Sequence, residues 1–130
     1  MENVASGAIE MTWDPNSRIA FISFKEETRA TGKDAQVLVS ALTQWIGGQR
    51  IPFALMGDGG KLSGVDADYR REWGNFFLQH RDDSYITFFN MNPIIRIAAG
   101  MFGLGTGLRL KPFATEAEAR AWLRQKGIGA

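Results

Sequence analysis

Residues 52–58 read PFALMGD and are followed at 59–64 by the glycine-rich turn GGKLSG. The apolar run, opened by proline and closed by an aspartate and two glycines, predicts a strand buried on both faces in the middle of a parallel sheet. In open α/β sheets, ligands and regulatory groups usually lie at the carboxyl end of such a strand and in the loop that follows it. Asp58, Lys61 and Ser63 therefore form the candidate regulatory or ligand loop.

Composition limits the class of protein. A chain of 130 residues predicts a single domain, 1–130, and 45% hydrophobic with 22% charged residues is ordinary for a globular protein. The net charge of +1 provides no overall field that would attract nucleic acid. Because there is no cysteine, disulfides, thiol nucleophiles and thiolate metal sites are excluded. The N-terminal residues lack the pattern of a signal peptide, and we expect a cytoplasmic protein without a nucleic-acid partner.

The first half of the chain predicts two strands and a helix ahead of the central strand. Residues 8–13 alternate apolar and polar side chains, and 18–24 are rich in strand-forming residues, so the two runs predict an antiparallel hairpin around the turn at 14–17. Residues 32–47 have helical spacing, with Thr31 as the expected N-cap. A helix between two strands predicts a right-handed parallel crossover into residues 52–58.

The second half predicts further helices and strands in alternation. Helices are predicted at 66–80, 94–102 and 116–126, and strands at 84–89 and 108–112. These assignments rest on apolar spacing, on the positions of proline and glycine and on the capping signal TEAE. The expected order is β-β-α-β-α-β-α-β-α, an α/β domain with a mixed five-stranded sheet and four helices. The last helix is expected to bury Ala119, Trp122 and Leu123.

The C-terminal phrase KPFATEAEARAWL, residues 111–123, together with this order of elements, resembles the SpoIIAA-like family of the STAS superfamily. The resemblance implies a noncatalytic regulatory or protein-interaction domain of bacterial type. STAS anti-sigma-factor antagonists carry a phosphorylatable serine, commonly as Asp-Ser-Ser-Gly, whereas here two glycines follow Asp58 and the first serine is Ser63. The wider superfamily also resembles the CRAL-TRIO lipid-binding domains in fold, which implies an apolar ligand as an alternative.

Ser63 has two interpretations. A phosphate there would lie near a helix N-terminus, where free N–H groups favour an anion. Alternatively, residues 63–66 simply cap the following helix, which is the interpretation we prefer. The segment 57–61, GDGGK, resembles a phosphate-binding loop, but Leu62 replaces its Ser or Thr and an upstream glycine is missing. The sequence therefore predicts no nucleotide cofactor.

The segment 94–102, IIRIAAGMF, is more apolar than one buried face requires, and Arg96 is its only charge. Three explanations stay open: deep burial, a homodimer or protein-partner interface, and docking on a membrane or apolar ligand. The segment is too short to span a bilayer. The candidate interface consists of Ile94, Ile95, Ala99, Met101 and Phe102.

Three hypotheses of function follow. The first is a noncatalytic regulatory or interaction module with a protein partner or a second copy, and the second is a domain that binds an apolar ligand or a membrane surface. The third is an enzyme, which would need groups such as Asp58, His80 and Asp82 in one pocket. The single histidine has no recognisable triad or metal-ligand spacing, so the sequence predicts no catalytic residue, metal or cofactor and favours the first hypothesis.

Overall fold

A computed structural model of the chain describes residues 1–93, 96 and 107–129. In these ranges it has eight strands and three helices. The strands are β1 (Glu2–Ser6), β2 (Ile9–Asp14), β3 (Ile19–Phe24), β4 (Thr28–Ala30), β5 (Phe53–Asp58), β6 (Leu62–Val65), β7 (Ser84–Phe89) and β8 (Leu110–Pro112). The helices are α1 (Gly32–Ile46), α2 (Ala67–Gln79) and α3 (Glu116–Gln125).

Six strands form one mixed sheet in the order β1-β2-β3-β5-β7-β8. The first three are antiparallel, and β3, β5, β7 and β8 are parallel. The prediction for residues 52–58 is confirmed, since β5 lies between β3 and β7 and its first five residues are buried. The predicted hairpin is also confirmed: β2 and β3 are antiparallel, with Trp13 opposite Ala20.

The prediction of five strands was wrong, although all five expected strands form in the main sheet. The sixth, β1, lies at its edge and pairs antiparallel with β2. β4 and β6 form a separate two-stranded parallel sheet, with Ala30 opposite Val65. These additional strands have three to five residues each, too short for a recognisable periodicity. β1 forms by pairing with the adjacent β2, whereas β4 and β6 form because backbone groups of distant segments pair. Three of the four expected helices form, and the fourth, at 94–102, lies outside the described residues except for residue 96.

Side-chain caps begin all three helices. The predicted cap of α1 is confirmed, because Thr31 and Asp34 make a reciprocal capping box. For α2, the prediction that residues 63–66 cap the helix is correct for Asp66, whose Oδ1 accepts the N–H of Tyr69 at 2.7 Å, and wrong for Ser63, which belongs to β6. Because β6 ends at Val65 and α2 begins at Ala67, Asp66 is the one residue between them and takes the capping position.

The helices cover both faces of the sheet. α1 and α2 pack together on one face over buried residues that include Leu38, Leu42 and Phe53. α3 packs on the other face, where Ala119 and Leu123 are buried as predicted. The expectation that Trp122 is buried was wrong, because it is only partly covered and lies against Tyr85 and Phe113, with ring centroids 5.8 and 6.0 Å away.

Candidate functional site

Asp58 lies at the carboxyl end of β5, beside the end of β7. Its Oδ1 accepts hydrogen bonds from the backbone N–H of Gly60 at 3.0 Å and from the side-chain amide of Asn90 at 3.4 Å. A carboxylate that accepts a bond from the N–H two residues later shapes a turn. The described contacts of Asp58 therefore give it a structural role in joining the two strand ends.

Lys61 and Ser63 make contacts separate from those of Asp58. The Lys61 ammonium donates to the carbonyl of Lys25 at 3.4 Å, and the Lys61 carbonyl accepts the N–H of Thr28, the first residue of β4. Ser63 is exposed on β6 and lines a cavity between α2 and the sheet. Of the three predicted loop residues, only Ser63 lines this cavity.

The enzyme site imagined from Asp58, His80 and Asp82 does not assemble. Asp58 ends β5, whereas His80 packs on Phe53 at the other end of the same strand, with ring centroids 5.6 Å apart. Five residue steps along a strand separate Asp58 from Phe53 by about 16 Å. His80 instead faces Asp83, with 3.5 Å between Nδ1 and Oδ2. Within the described ranges, no group of three or more potential metal ligands occurs.

The cavity has a volume of about 390 Å³ and is mostly apolar. The sheet provides its floor through Ile22, Leu55 and Ile86, which are 1–3% exposed and come from the neighbouring strands β3, β5 and β7. One face of α2 forms a wall of the cavity through Trp73 and Phe77. These residues are one helical turn apart, and their rings stack with centroids 5.6 Å apart. Sheet and helix therefore enclose the space between them.

Glycines help to shape this space. A Cβ on Gly57 of β5 would lie 2.8 Å from Cδ1 of Phe88, so the ring of Phe88 occupies the place of the missing side chain. Gly64 of β6 and Gly74 of α2 also line the cavity. The sequence did not predict the cavity. The sequence feature related to the cavity is this set of glycines, and their effect on it can be recognised only when the positions of the strands and helices are known.

The polar part of the lining comes from Ser63, Tyr69, Arg29 and Arg70. Burial raises the pKa of Tyr69 from 10.0 to about 12; the Trp73 side chain lowers it by less, and the charge of Asp34 adds a small increase. Tyr69 therefore stays neutral throughout the physiological range. Among the described lining residues there is no carboxylate, and the two arginines carry the only charges.

The predicted interface at Ile94, Ile95, Ala99, Met101 and Phe102 lies outside the described residues. The homodimer that it suggested stays a prediction. In the part of the chain that the structure describes, no helix combines the length and hydrophobicity needed to cross a bilayer.

Known proteins resemble the chain in structure. Neither a protein-family model nor a curated protein sequence matches it. A crystal structure of an uncharacterised protein of the DUF3478 family with a SpoIIAA-like fold, from Shewanella loihica PV-4, superposes with a TM-score of 0.69 at 16% identity, covering 89% of this chain and 92% of that one. The chain has a SpoIIAA-like fold. The resemblance inferred from the C-terminal phrase is thereby confirmed at the level of the fold.

A second structure with the SpoIIAA-like arrangement comes from Pseudomonas aeruginosa. It is the crystal structure of the diguanylate cyclase SiaD in complex with its activator SiaC, with a TM-score of 0.60 and 7% identity over 88% of this chain and 100% of the matched chain. At these identities the likeness establishes the shared SpoIIAA-like fold. Function has to be argued from the site.

Proposed function

We propose that this SpoIIAA-like domain is a noncatalytic regulatory module that binds an apolar small molecule in the cavity between α2 and the sheet. The observation that carries the proposal is the cavity itself, about 390 Å³ with walls of buried aliphatic and aromatic side chains. Small-molecule pockets commonly measure about 300–1,000 Å³ and combine apolar walls with a few polar groups. Protein interiors are otherwise close-packed and contain few voids larger than a water molecule.

The chemistry of the lining supports binding without catalysis. General acid–base catalysis needs a group whose pKa lies near the working pH. The ionisable groups among the described lining residues are Arg29, Arg70 and Tyr69, and arginine stays charged while the pKa of Tyr69 is raised to about 12. None of the three is suited to exchange a proton at neutral pH.

Thermal unfolding in the presence of 1-octanol tests the proposal. A ligand that binds only the folded state raises the stability by RT ln(1 + [L]/Kd), so the unfolding temperature should rise with octanol concentration. Gly74→Leu puts a side chain into the cavity lining and should abolish this rise, while Asn75→Leu adds the same side chain at an exposed position of α2 and should preserve it. If octanol does not stabilise the wild-type protein, or stabilises the Gly74 variant equally, the cavity is not a ligand site.

A protein-interaction module is the second candidate function, favoured by one observation. A chain of the same fold occurs in the complex of the cyclase SiaD with its activator SiaC. For this chain the partner is expected to be a protein or a second copy, in the cytoplasm. Sedimentation equilibrium should show a concentration-dependent dimer that Ile95→Glu weakens. A strict monomer at all concentrations would exclude self-association.

A further inference from the structure

We propose that the cavity ligand is a single-chain amphipathic anion, with its alkyl tail between α2 and the sheet and its carboxylate at Arg29 and Arg70. This inference rests on the proposed function, because it specifies the ligand of the same cavity. The cavity is polarised from floor to mouth. Its floor residues Ile22, Leu55 and Ile86 are almost completely buried, whereas both arginines are exposed. An elongated ligand therefore has an apolar end deep inside and a polar end at the opening.

The charge at the opening is positive, and the described lining residues provide no counterion for it. No carboxylate is among the described lining residues, and neither Arg29 nor Arg70 has an ion-pair partner in the ranges the structure describes. The contrast with the neighbouring Arg71 is direct, since Arg71 pairs with Asp68 on the same helix. Two uncompensated guanidinium groups on one cavity favour an anion and disfavour a cationic ligand.

Two different elements provide the guanidinium groups. Arg29 belongs to β4, opposite Gly64 of β6, and its Nη1 lies 3.3 Å from the position a Cβ on Gly64 would occupy. The Arg29 side chain thus lies across the two-stranded sheet, over a glycine whose lack of a side chain leaves room for it. Arg70 belongs to α2, four residues after the Asp66 cap. Planar guanidinium groups bind carboxylates through paired N–H donors, so each arginine has donors suited to a carboxylate head.

The size of the cavity and its apolar floor select for the tail. At about 390 Å³ the cavity is near the lower end of the range for small-molecule pockets, which suits one alkyl chain better than a two-chain lipid. A short anion such as acetate would meet the arginines and leave the apolar surface unused. A neutral alcohol of the same length would use the floor and leave the arginines without a partner.

Isothermal titration with octanoate, 1-octanol and acetate separates these contributions. For the wild-type protein, octanoate should bind about tenfold more tightly than octanol, and acetate should show no measurable binding, in keeping with a charge-assisted hydrogen bond at an open site. Arg29→Gln and Arg70→Gln should each weaken octanoate about tenfold and leave octanol unchanged. Arg71→Gln is the matched control and should change neither. Arg29→Lys retains the charge without the paired donors and should be intermediate.

Each other outcome gives a distinct conclusion. Equal affinity for octanol and octanoate would refute the head-group assignment and leave the proposed function intact, whereas no binding of either would refute the proposed function itself. An effect of Arg71→Gln as large as that of Arg70→Gln would show diffuse attraction in place of a site. Binding to anionic phosphatidylglycerol vesicles without binding of monomeric octanoate would assign the surface to a membrane and overturn the proposal. Circular dichroism of every variant confirms that the compared proteins are folded.

Discussion

In the substitution Gly32→Ala at the start of α1, helix propensity and packing have opposite effects on the stability of the protein. Propensity alone predicts stabilisation of up to about 1 kcal/mol, because alanine is the better helix former. A Cβ on Gly32, however, would overlap the Cβ of Asp68 and lie 3.4 and 3.5 Å from the Asp68 carbonyl carbon and Cα. These atoms are fixed to the backbone of α2, so no change of rotamer relieves the overlap.

Overpacking of this kind costs about 1–3 kcal/mol. The cost exceeds the gain in propensity, and we expect Gly32→Ala to destabilise the protein by about 1–2 kcal/mol. For a chain of 130 residues, 1 kcal/mol corresponds to about 4 °C, so the unfolding temperature should fall by about 4–8 °C. Urea unfolding followed by circular dichroism gives the free energy directly.

A second glycine and a second substitution provide the controls. Gly48 has no neighbouring heavy atom within 4 Å of its ideal Cβ, so Gly48→Ala should stabilise the protein by about 0.4–1 kcal/mol through the unfolded state. Asp68→Gly removes the opposing Cβ, and in a double-mutant cycle it should recover about 1 kcal/mol of the loss from Gly32→Ala. If Gly32→Ala stabilises as much as Gly48→Ala, the close contact of α1 with α2 does not exist as described.

Three further predictions concern a cap, the core and a buried hydroxyl. Asp66→Ala should cost about 1 kcal/mol of unfolding free energy, whereas Ser63→Ala should change the unfolding free energy by less than about 0.5 kcal/mol. A larger loss from Ser63→Ala would show that Ser63 caps α2. Leu123→Ala should cost about 2–5 kcal/mol of unfolding free energy, because Leu123 is completely buried. Trp122→Ala should cost less than the roughly 3–5 kcal/mol of a fully buried aromatic residue, because Trp122 is only partly covered. A larger loss from Trp122→Ala than from Leu123→Ala in denaturant unfolding would contradict the packing of α3. Tyr69 ionises near pH 10 in the unfolded state and near pH 12 in the folded state, so its contribution to stability is intact below pH 10 and is lost as the pH rises through 12. A Tyr69→Phe protein whose stability falls just as steeply between pH 10 and 12 would contradict this.

Local sequence patterns predicted the elements whose conformation is determined by residues close together in the chain. Residues 53–56 are an uninterrupted apolar run bounded by a proline and by a glycine, which is typical of a strand covered on both faces, and they lie in β5. The alternation before residue 14 and the turn after it predicted the hairpin, and Thr31 predicted the start of α1. In each case the decisive residues are neighbours in the sequence, so spacing alone contains the information.

Distant pairing decided what the sequence could not predict. β4 and β6 are held by hydrogen bonds between segments more than 30 residues apart, as in the pairing of Thr28 with Leu62, and their own short sequences express no preference for a strand. The existence of β6 moved Ser63 out of the capping position and left Asp66 as the cap of α2.

The candidate site depends on the tertiary structure in the same way. Trp73 and Phe77 have the apolar spacing of one helical face, and both are buried. Whether the space beneath them is filled depends on the side chains of three strands and on Gly57, which no local pattern relates to the helix. Arg29 and Arg70 are 41 positions apart in the sequence, and they line one cavity only because the fold places both β4 and α2 beside it. The sequence by itself determined the order of the main elements and their buried faces, because those follow from the spacing of neighbouring residues. The tertiary structure decided the cavity and its charge, because they depend on the distances between segments that are remote along the chain.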